Sequence, residues 1–242
     1  MAVLSKGDLS FSPLGDRALL LEVGNDAGPE AVSRVRALAD YLAQLRLPGV
    51  LDLVPALRTI GIHYEPEEWR DESATRSPYE LLVAHIQTAL PDPATLVLSE
   101  GRAREIPVCY EADCAADLPA LARTLGLSRS QIVEMHSAVE YSVYMIGFAP
   151  GFAYLGPLDE RLVLPRRKTP RTRVPAGSVA IANQYTGIYP GELPGGWHLI
   201  GRTPLRLFDP SRTQPSLLQA GDRVRFSPID AARFRRLHSE KQ

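Results

Sequence analysis

The stretch from Tyr144 to Phe208 constrains the fold most, because glycine, proline and arginine interrupt it every few residues. Between these interruptions lie short apolar runs. Proline fixes φ and removes an amide donor, whereas glycine permits a positive φ and a close approach of the backbone. The pattern therefore excludes long helices and predicts short strands joined by shaped loops that carry basic side chains. Loops of this kind build binding surfaces, so we expect the functional site in this stretch.

The composition of the 242-residue chain, with 45% hydrophobic and 23% charged residues, is typical of a globular protein of one or two domains. The net charge of −1 gives no reason to expect a nucleic-acid partner or a membrane-binding surface. The only cysteines, Cys109 and Cys114, exclude a disulfide scaffold and paired zinc ligands but leave one disulfide possible. No signal-peptide pattern or long apolar run is present, so we expect a cytoplasmic protein.

Residues 1–100 alternate between strand and helix signals. Helices are expected to begin at Gly28-Pro29 and at the capping box Ser77–Glu80. The apolar patterns predict strands at residues 18–23, 50–54, 59–64 and 95–98. This β-α-β-β-α-β order predicts a small α+β domain of the ferredoxin-like split βαβ type.

Residues 101–242 follow a polar break at 99–102 and are dominated by strand and turn signals. Asp117 is expected to cap a short helix, and a capping box at Ser128–Gln131 begins another. The patterns predict a first strand at 104–110 and a closing strand at 222–226. Many short strands with Gly/Pro turns predict a mainly-β barrel, capped by the two helices.

The segment Gly147–Phe152, with the sequence GFAPGF, is the sharpest local pattern. One interpretation is a rigid loop in which Phe148, Pro150 and Gly151 place apolar walls and amide groups beside a ligand. The other is a tight structural turn that buries both phenylalanines. The pattern alone leaves both open.

A basic cluster follows, comprising Arg166, Arg167, Lys168, Arg171 and Arg173. Guanidinium groups bind carboxylates and phosphates in a bidentate manner. Most of these side chains are expected to be solvated. Arg171 and Arg173 flank Thr172 and share one face of an extended segment, so they are the preferred anion contacts.

Three further residues have both a structural and a functional interpretation. Ser178 ends a Pro-Ala-Gly-Ser turn that does not match a nucleophile elbow, so a triad hydrolase is not expected. His136 lies on the apolar face of a predicted helix, where a histidine is more often a core residue than a catalyst. Trp197 follows Gly195-Gly196 and either stacks on a ligand or fills the barrel.

No P-loop, dinucleotide fingerprint or zinc-protease motif is present, so no metal site is expected. Recognition of ATP, if it occurs, has to be unconventional or shared with a partner.

The combined runs GFAPGFAYLG, PRRKTPRTRVPAGSVAIA, TGIYP and PGGWHLIGRTPLRLF carry a family resemblance. They resemble the family that contains allophanate hydrolase subunit 1, the B subunit of 5-oxoprolinase and the sporulation-kinase inhibitor KipI. The carboxyltransferase region of urea carboxylase is also related. The resemblance continues upstream through EIPVCY and HSAVEYSVYMIGF and covers nearly the whole chain.

The resemblance implies a cyclophilin-like barrel in residues 101–242. It also implies a subunit that works with an A-type subunit and with a C-type subunit, which is a homologous barrel protein. Together they would convert 5-oxoproline to glutamate with ATP and Mg²⁺, activating the lactam by phosphorylating its carbonyl oxygen. By analogy the catalytic candidates are His136, Arg171, Arg173 and Ser178. The substrate-binding candidates are Phe148, Pro150, Gly151, Thr172, Thr186, Tyr189 and Trp197.

Other activities remain open. They are a KipI-like kinase inhibitor, a carboxyltransferase subunit of allophanate or urea metabolism and, on fold alone, a prolyl isomerase. The chain departs from a G-x-Q-T-G pattern of the family, because it has Asn183 in place of the glycine and Tyr185 in place of the glutamine. A phenol changes the reach of a pocket amide, which leaves the substrate open. No biotin-carrier lysine turn is present, so a complete urea carboxylase is excluded.

Overall fold

The computed structural model describes residues 9–25, 28–71, 75–91, 96, 101–111 and 113–239. The chain forms two compact units, Met1–Glu100 and Gly101–Gln242. That each unit folds as an independent domain stays a prediction. None of the described helices combines the length and apolarity that crossing a bilayer requires.

The first unit contains an antiparallel four-stranded sheet with two helices. Its strands, in the spatial order β1-β2-β4-β3, are β1 (Leu9–Pro13), β2 (Ala18–Val23), β3 (Val50–Pro55) and β4 (Thr59–Tyr64). Its helices are α1 (Pro29–Leu45) and α2 (Pro78–Ala89). The sequence predicted all of these elements except β1.

Apolar spacing and capping explain why the two helices form where they do. Val35, Leu38 and Leu42 recur at helical spacing in α1 and are buried in the core of this unit. The predicted capping box at the start of α2 is confirmed, because the Ser77 and Glu80 side chains each accept a hydrogen bond from the other residue's amide.

The ferredoxin-like class of this unit is not confirmed. Strand β4 lies between β2 and β3, as a split βαβ unit requires. The predicted last strand, residues 95–98, lies outside the described residues except for Leu96, which is not in a strand. In the described sheet β1 occupies the edge next to β2.

The second unit contains a closed seven-stranded barrel, which confirms the barrel prediction. The strands of this unit are β5 (Ala103–Cys109), β6 (Glu140–Ile146), β7 (Ala153–Gly156), β8 (Arg171–Val174), β9 (Ser178–Ala182), β10 (Tyr185–Ile188), β11 (Leu193–Gly195), β12 (His198–Arg202) and β13 (Arg223–Ile229). The barrel order is β10-β7-β6-β13-β5-β12-β9, and β8 pairs with β11 in a separate ribbon. The helices are α3 (Leu118–Leu125), α4 (Arg129–Ala138) and α5 (Ala231–Ser239), of which α5 was not predicted.

Strand β13 closes the barrel, as predicted for residues 222–226. It runs parallel to β5, with Phe226 opposite Ile106, and antiparallel to β6. Its inward residues Val224 and Phe226 are buried in a continuous apolar core. The barrel interior is therefore filled by side chains and is not a channel. Its cyclophilin-like class stays a prediction.

Candidate functional site

Seven aromatic side chains form one network on the barrel unit, which we call the aromatic cluster. Neighbouring rings meet edge to face, with centroids 4.9 to 6.5 Å apart, a favourable geometry for aromatic pairs. The members are Tyr144, Phe148, Phe152, Tyr154, Tyr185, Tyr189 and Trp197.

Glycines provide the space that these rings occupy. A Cβ atom at Gly187 would lie 3.1 Å from the rings of both Phe152 and Trp197, and one at Gly195 would overlap the Tyr189 hydroxyl. The backbone at Gly195 therefore approaches Tyr189 closely. A side chain at either position would displace a ring of the cluster.

The GFAPGF loop combines both interpretations of its sequence. Phe152 is 1% exposed and belongs to the core, whereas Phe148 is 62% exposed. Phe148 also has a φ of 69°, a conformation that costs a residue with a side chain about 1–2 kcal/mol. The Gly147 amide donates to the Phe152 carbonyl at 3.1 Å and closes the loop. The loop thus holds Phe148, the exposed member of the aromatic cluster, on a strained backbone.

Asp117 binds two arginines of residues 166–173, which we call the basic segment. Its carboxylate accepts two hydrogen bonds from Arg171, at 2.7 and 2.8 Å, and one from Arg167 at 3.0 Å. It also accepts from the Leu199 amide at 2.8 Å. The carboxylate is buried, so the two guanidinium groups compensate a charge that would be costly alone.

Asp117 is the N-cap residue of α3, as predicted, and its carbonyl accepts from the Leu121 amide at 2.9 Å. Its side chain makes no capping bond, because the carboxylate is occupied by the two arginines and the Leu199 amide. Sequence reasoning missed this role, since its partners lie 50, 54 and 82 residues away in the chain.

The preferred anion contacts, Arg171 and Arg173, each bind a carboxylate of this chain. Arg171 pairs with Asp117, and Arg173 pairs with Glu192 on the neighbouring segment at 2.6 Å. The Arg173 side chain is 76% exposed, so its pair is weak and exchangeable. Thr172 between them is exposed. Their roles in ligand binding stay predictions.

Arg166 is exposed and has no ion pair to any other described residue. The backbone on both sides is fixed: His198 Nε2 donates to the Pro165 carbonyl at 2.9 Å, and the Arg167 amide donates to the Gly196 carbonyl at 2.8 Å. Burial raises the pKa of Tyr154, and the nearby Arg166 guanidinium opposes that shift. The sequence predicted a solvated Arg166, and its side chain is exposed.

His136 and Thr186 meet in the barrel interior, where both are fully buried. Thr186 Oγ1 donates to the Ala180 carbonyl at 3.2 Å, so it accepts from His136 Nε2–H at 2.8 Å. His136 Nδ1 then accepts from the Tyr110 hydroxyl at 2.8 Å. The ring stacks on Phe226 with centroids 4.5 Å apart.

Burial lowers the pKa of His136 to about 3, so the imidazole is neutral near pH 7. This arrangement is that of a satisfied core histidine. Its catalytic role stays a prediction.

Ser178 is 2% exposed, and its hydroxyl donates to the Pro175 carbonyl at 2.7 Å within the turn before β9. No described histidine or carboxylate contacts this hydroxyl, so the described residues give it no general base. Its catalytic role stays a prediction as well.

The structure thus brings Phe148, Tyr189 and Trp197 together in the aromatic cluster, with Pro150 and Gly151 in the loop that carries Phe148. His136 and Thr186 instead bind each other in the barrel interior, and Ser178 bonds to the Pro175 carbonyl within its turn. Sequence reasoning did not select Tyr154. It follows Phe152 by two residues, and residues at this spacing share one face of a strand, so the sequence did contain a signal for it.

Asn183, which stands where the family pattern has glycine, adopts a φ of 51°. Asparagine tolerates this left-handed conformation better than most residues, so replacing the glycine with Asn183 is compatible with the same backbone conformation. The other departure, Tyr185, is a member of the aromatic cluster.

Comparison with known proteins first defines the class. Residues 9–218 match the family described as carboxyltransferase domain, subdomain C and D. Urea amidolyase from K. lactis shares the fold, with a TM-score of 0.74 at 20% identity, over 99% of this chain and 16% of that one. The protein TTHA0988 is 40% identical with a TM-score of 0.76, over 89% of this chain and 41% of that one. This chain therefore spans about two fifths of the length of TTHA0988.

Curated relatives identify the family more closely. The B subunit of 5-oxoprolinase from Bacillus subtilis (strain 168) is 38% identical over 89% of this chain and 91% of its own length. The Escherichia coli O157:H7 protein of that name is 41% identical over 89% of this chain and 94% of its own. The chain belongs to the carboxyltransferase subdomain C and D family, which includes these B subunits of 5-oxoprolinase.

Replacing Asp117 with asparagine should lower the free energy of unfolding of the barrel by about 2–4 kcal/mol, because two guanidinium groups lose their compensating charge. Glu192→Gln, which breaks the exposed pair with Arg173, is the matched control and should cost under about 1 kcal/mol. Urea unfolding followed by circular dichroism measures both. Equal effects would contradict the central role of Asp117.

The Asp117 contribution should also depend on pH. Burial raises the pKa of Asp117, but the Arg171 hydrogen bonds, the Leu199 amide and both arginine charges outweigh it and hold the pKa below its usual value. A lowered folded-state pKa means that the stabilisation is complete above the unfolded-state pKa of about 4 and is lost as pH falls below it. The stability difference between wild type and Asp117→Asn should therefore shrink below about pH 4.

The His136 imidazole should remain neutral, as the Nε2–H tautomer, down to about pH 4.5, because burial opposes its charging. Long-range ¹H–¹⁵N correlation spectra of the full chain measure the tautomer and any titration. The signal is assigned by its loss in His136→Gln. A titration near pH 6.5 would mean that the ring is accessible to protons and would restore it as a candidate base.

Proposed function

We propose that the chain is the B subunit of an ATP-dependent 5-oxoprolinase, which with A-type and C-type subunits opens 5-oxoproline to L-glutamate. The observation that carries this proposal is the 38% and 41% identity to two proteins named as the B subunit of 5-oxoprolinase, each over 89% of the chain. These alignments also cover more than nine tenths of both relatives, so the likeness extends beyond a shared fold.

The described site supports a protein that acts only in a complex. An unactivated lactam is a poor electrophile, and its opening requires groups that stabilise negative charge on the carbonyl oxygen. The described residues offer an aromatic surface and the cation Arg166, but His136 and Ser178 are engaged internally. A complete set of reacting groups would therefore include residues of another chain.

The described residues include no group of three histidine, cysteine, aspartate or glutamate side chains that could hold a metal ion. Two arginines of the basic segment bind Asp117, which leaves few cations for a triphosphate. We assign ATP and Mg²⁺ to a site shared with, or held by, a partner and derive no step through the nucleotide on this chain.

The partner assignment is supported by the name of the relatives, since the designation of a B subunit implies other subunits. TTHA0988 supports it as well, because more than half of that chain lies outside the alignment with this one. A homologous C-type barrel protein and an A-type subunit remain the proposed partners. The cytoplasmic location stays a prediction.

Co-expression with candidate A-type and C-type subunits tests the function. With ATP and 5-oxoproline, the three-chain mixture should release glutamate well above the mixture that lacks this chain. Release no greater than that control would refute the proposal.

The same preparation separates the alternatives. Activity on urea or allophanate but not on 5-oxoproline would favour a carboxyltransferase component. Slower autophosphorylation of a sensor kinase by the isolated chain, without any hydrolysis, would favour a KipI-like inhibitor.

A further inference from the structure

We propose that Arg166 binds the carboxylate of a small cyclic amide whose ring lies against Phe148 and the neighbouring tyrosines of the aromatic cluster. This inference rests on the proposed function and identifies the part of the same site that recognises the substrate. It replaces Arg171 and Arg173 as the main anion contact.

The charge pattern of the basic segment supports Arg166. Arg167 and Arg171 bind the buried Asp117, and Arg173 binds Glu192. Using one of the first two for a ligand would leave a buried carboxylate under-compensated. Arg166 is exposed and has no ion pair to another described residue, so it can bind an anion without breaking an internal bond.

The position of Arg166 is fixed by its neighbours. The Pro165 carbonyl and the Arg167 amide are both bonded to the segment 196–198, which carries Trp197. The Arg167 side chain extends to Asp117. Burial raises the pKa of Tyr154 and Tyr189, two members of the aromatic cluster, and the Arg166 charge opposes both shifts. The fixed backbone on both sides of Arg166 thus holds this residue next to the segment that carries Trp197.

The aromatic surface offers what a flat amide ring needs. Small-molecule sites are mostly apolar, with a few polar groups that fix orientation. Phe148 is 62% exposed in a strained conformation, and its ring meets Tyr189 edge to face. A solvent-exposed aromatic held in this way is best explained by a contact with a ligand.

The aromatic cluster also extends into the barrel. Tyr144 on β6 is 5% exposed, and its hydroxyl has no hydrogen-bond partner among the described residues. Its ring contacts Tyr185, whose ring contacts Tyr154. Buried hydroxyls are nearly always paired, so a bridging water suits this one, which is closed to a ligand.

The balance of charge selects the class of ligand. One unpaired guanidinium beside apolar rings matches a single carboxylate on a compact ring. A polyphosphate would require several cations, and the buried Asp117 occupies two of the four arginines of the segment. A monocarboxylate cyclic amide such as 5-oxoproline fits this arrangement.

Arg166→Met in the complex with the A-type and C-type subunits tests the inference, with Lys168→Met as the matched control. Lys168 is also exposed, has no ion pair to another described residue and lies two positions away. The dissociation constant and KM for 5-oxoproline should rise about 10- to 100-fold in Arg166→Met, the range expected for a hydrogen bond to a charged group. They should change less than about twofold in Lys168→Met.

A second ligand separates recognition from a structural effect. Binding of 2-pyrrolidinone, which is the same ring without the carboxylate, should be equally weak in wild type and Arg166→Met. An equal loss for both ligands, or equal effects of the two substitutions, would overturn the inference.

Glutamate release and KM together separate the role of Arg166 from the proposed function of the complex. If the wild-type complex releases glutamate and Arg166→Met leaves KM unchanged, only the inference fails. If the wild-type complex neither binds nor hydrolyses 5-oxoproline, the function fails and the inference fails with it.

Discussion

The ionic contact between the buried Asp117 carboxylate and the guanidinium groups of Arg167 and Arg171 is the interaction on which the site depends. It ties the basic segment to the start of α3 and, through the Leu199 amide, to β12. A buried carboxylate with two cations and an amide is well compensated, and removing any partner is costly. The same contact leaves Arg166 as the arginine of the segment that is available beside the aromatic cluster.

The barrel unit contains a satisfied polar network in its interior and, separately, an aromatic cluster. In its interior, His136 and Thr186 satisfy each other and the Tyr110 hydroxyl, which keeps the imidazole neutral and inaccessible. On the aromatic cluster, Phe148 is exposed and the Tyr144 hydroxyl lacks a described partner. We propose that the ligand binds at the loop that carries the exposed Phe148 and that other chains of a complex supply the reacting groups.

The sequence predicted most helices and strands because apolar spacing, capping boxes and glycine-proline turns are local signals. The capping box at Ser77 and the closing strand β13 are examples. Local signals located Asp117 at the N-cap of α3 but could not reveal the partners of its carboxylate, which lie at least 50 residues away. They could not separate Arg166 from its neighbours either, because a run of basic residues looks uniformly solvated until each partner is known.

We propose that the loops around Phe148 and Arg166 form the ligand-binding face of one protein in a multi-chain complex. Hydrogen–deuterium exchange of the assembled complex, with and without 5-oxoproline, measures this. Bound 5-oxoproline should slow exchange at residues 147–152 and 165–172 and leave the interior strand β9 unchanged. Slower exchange confined to the first unit, for example at α2, with both loops unaffected, would contradict it.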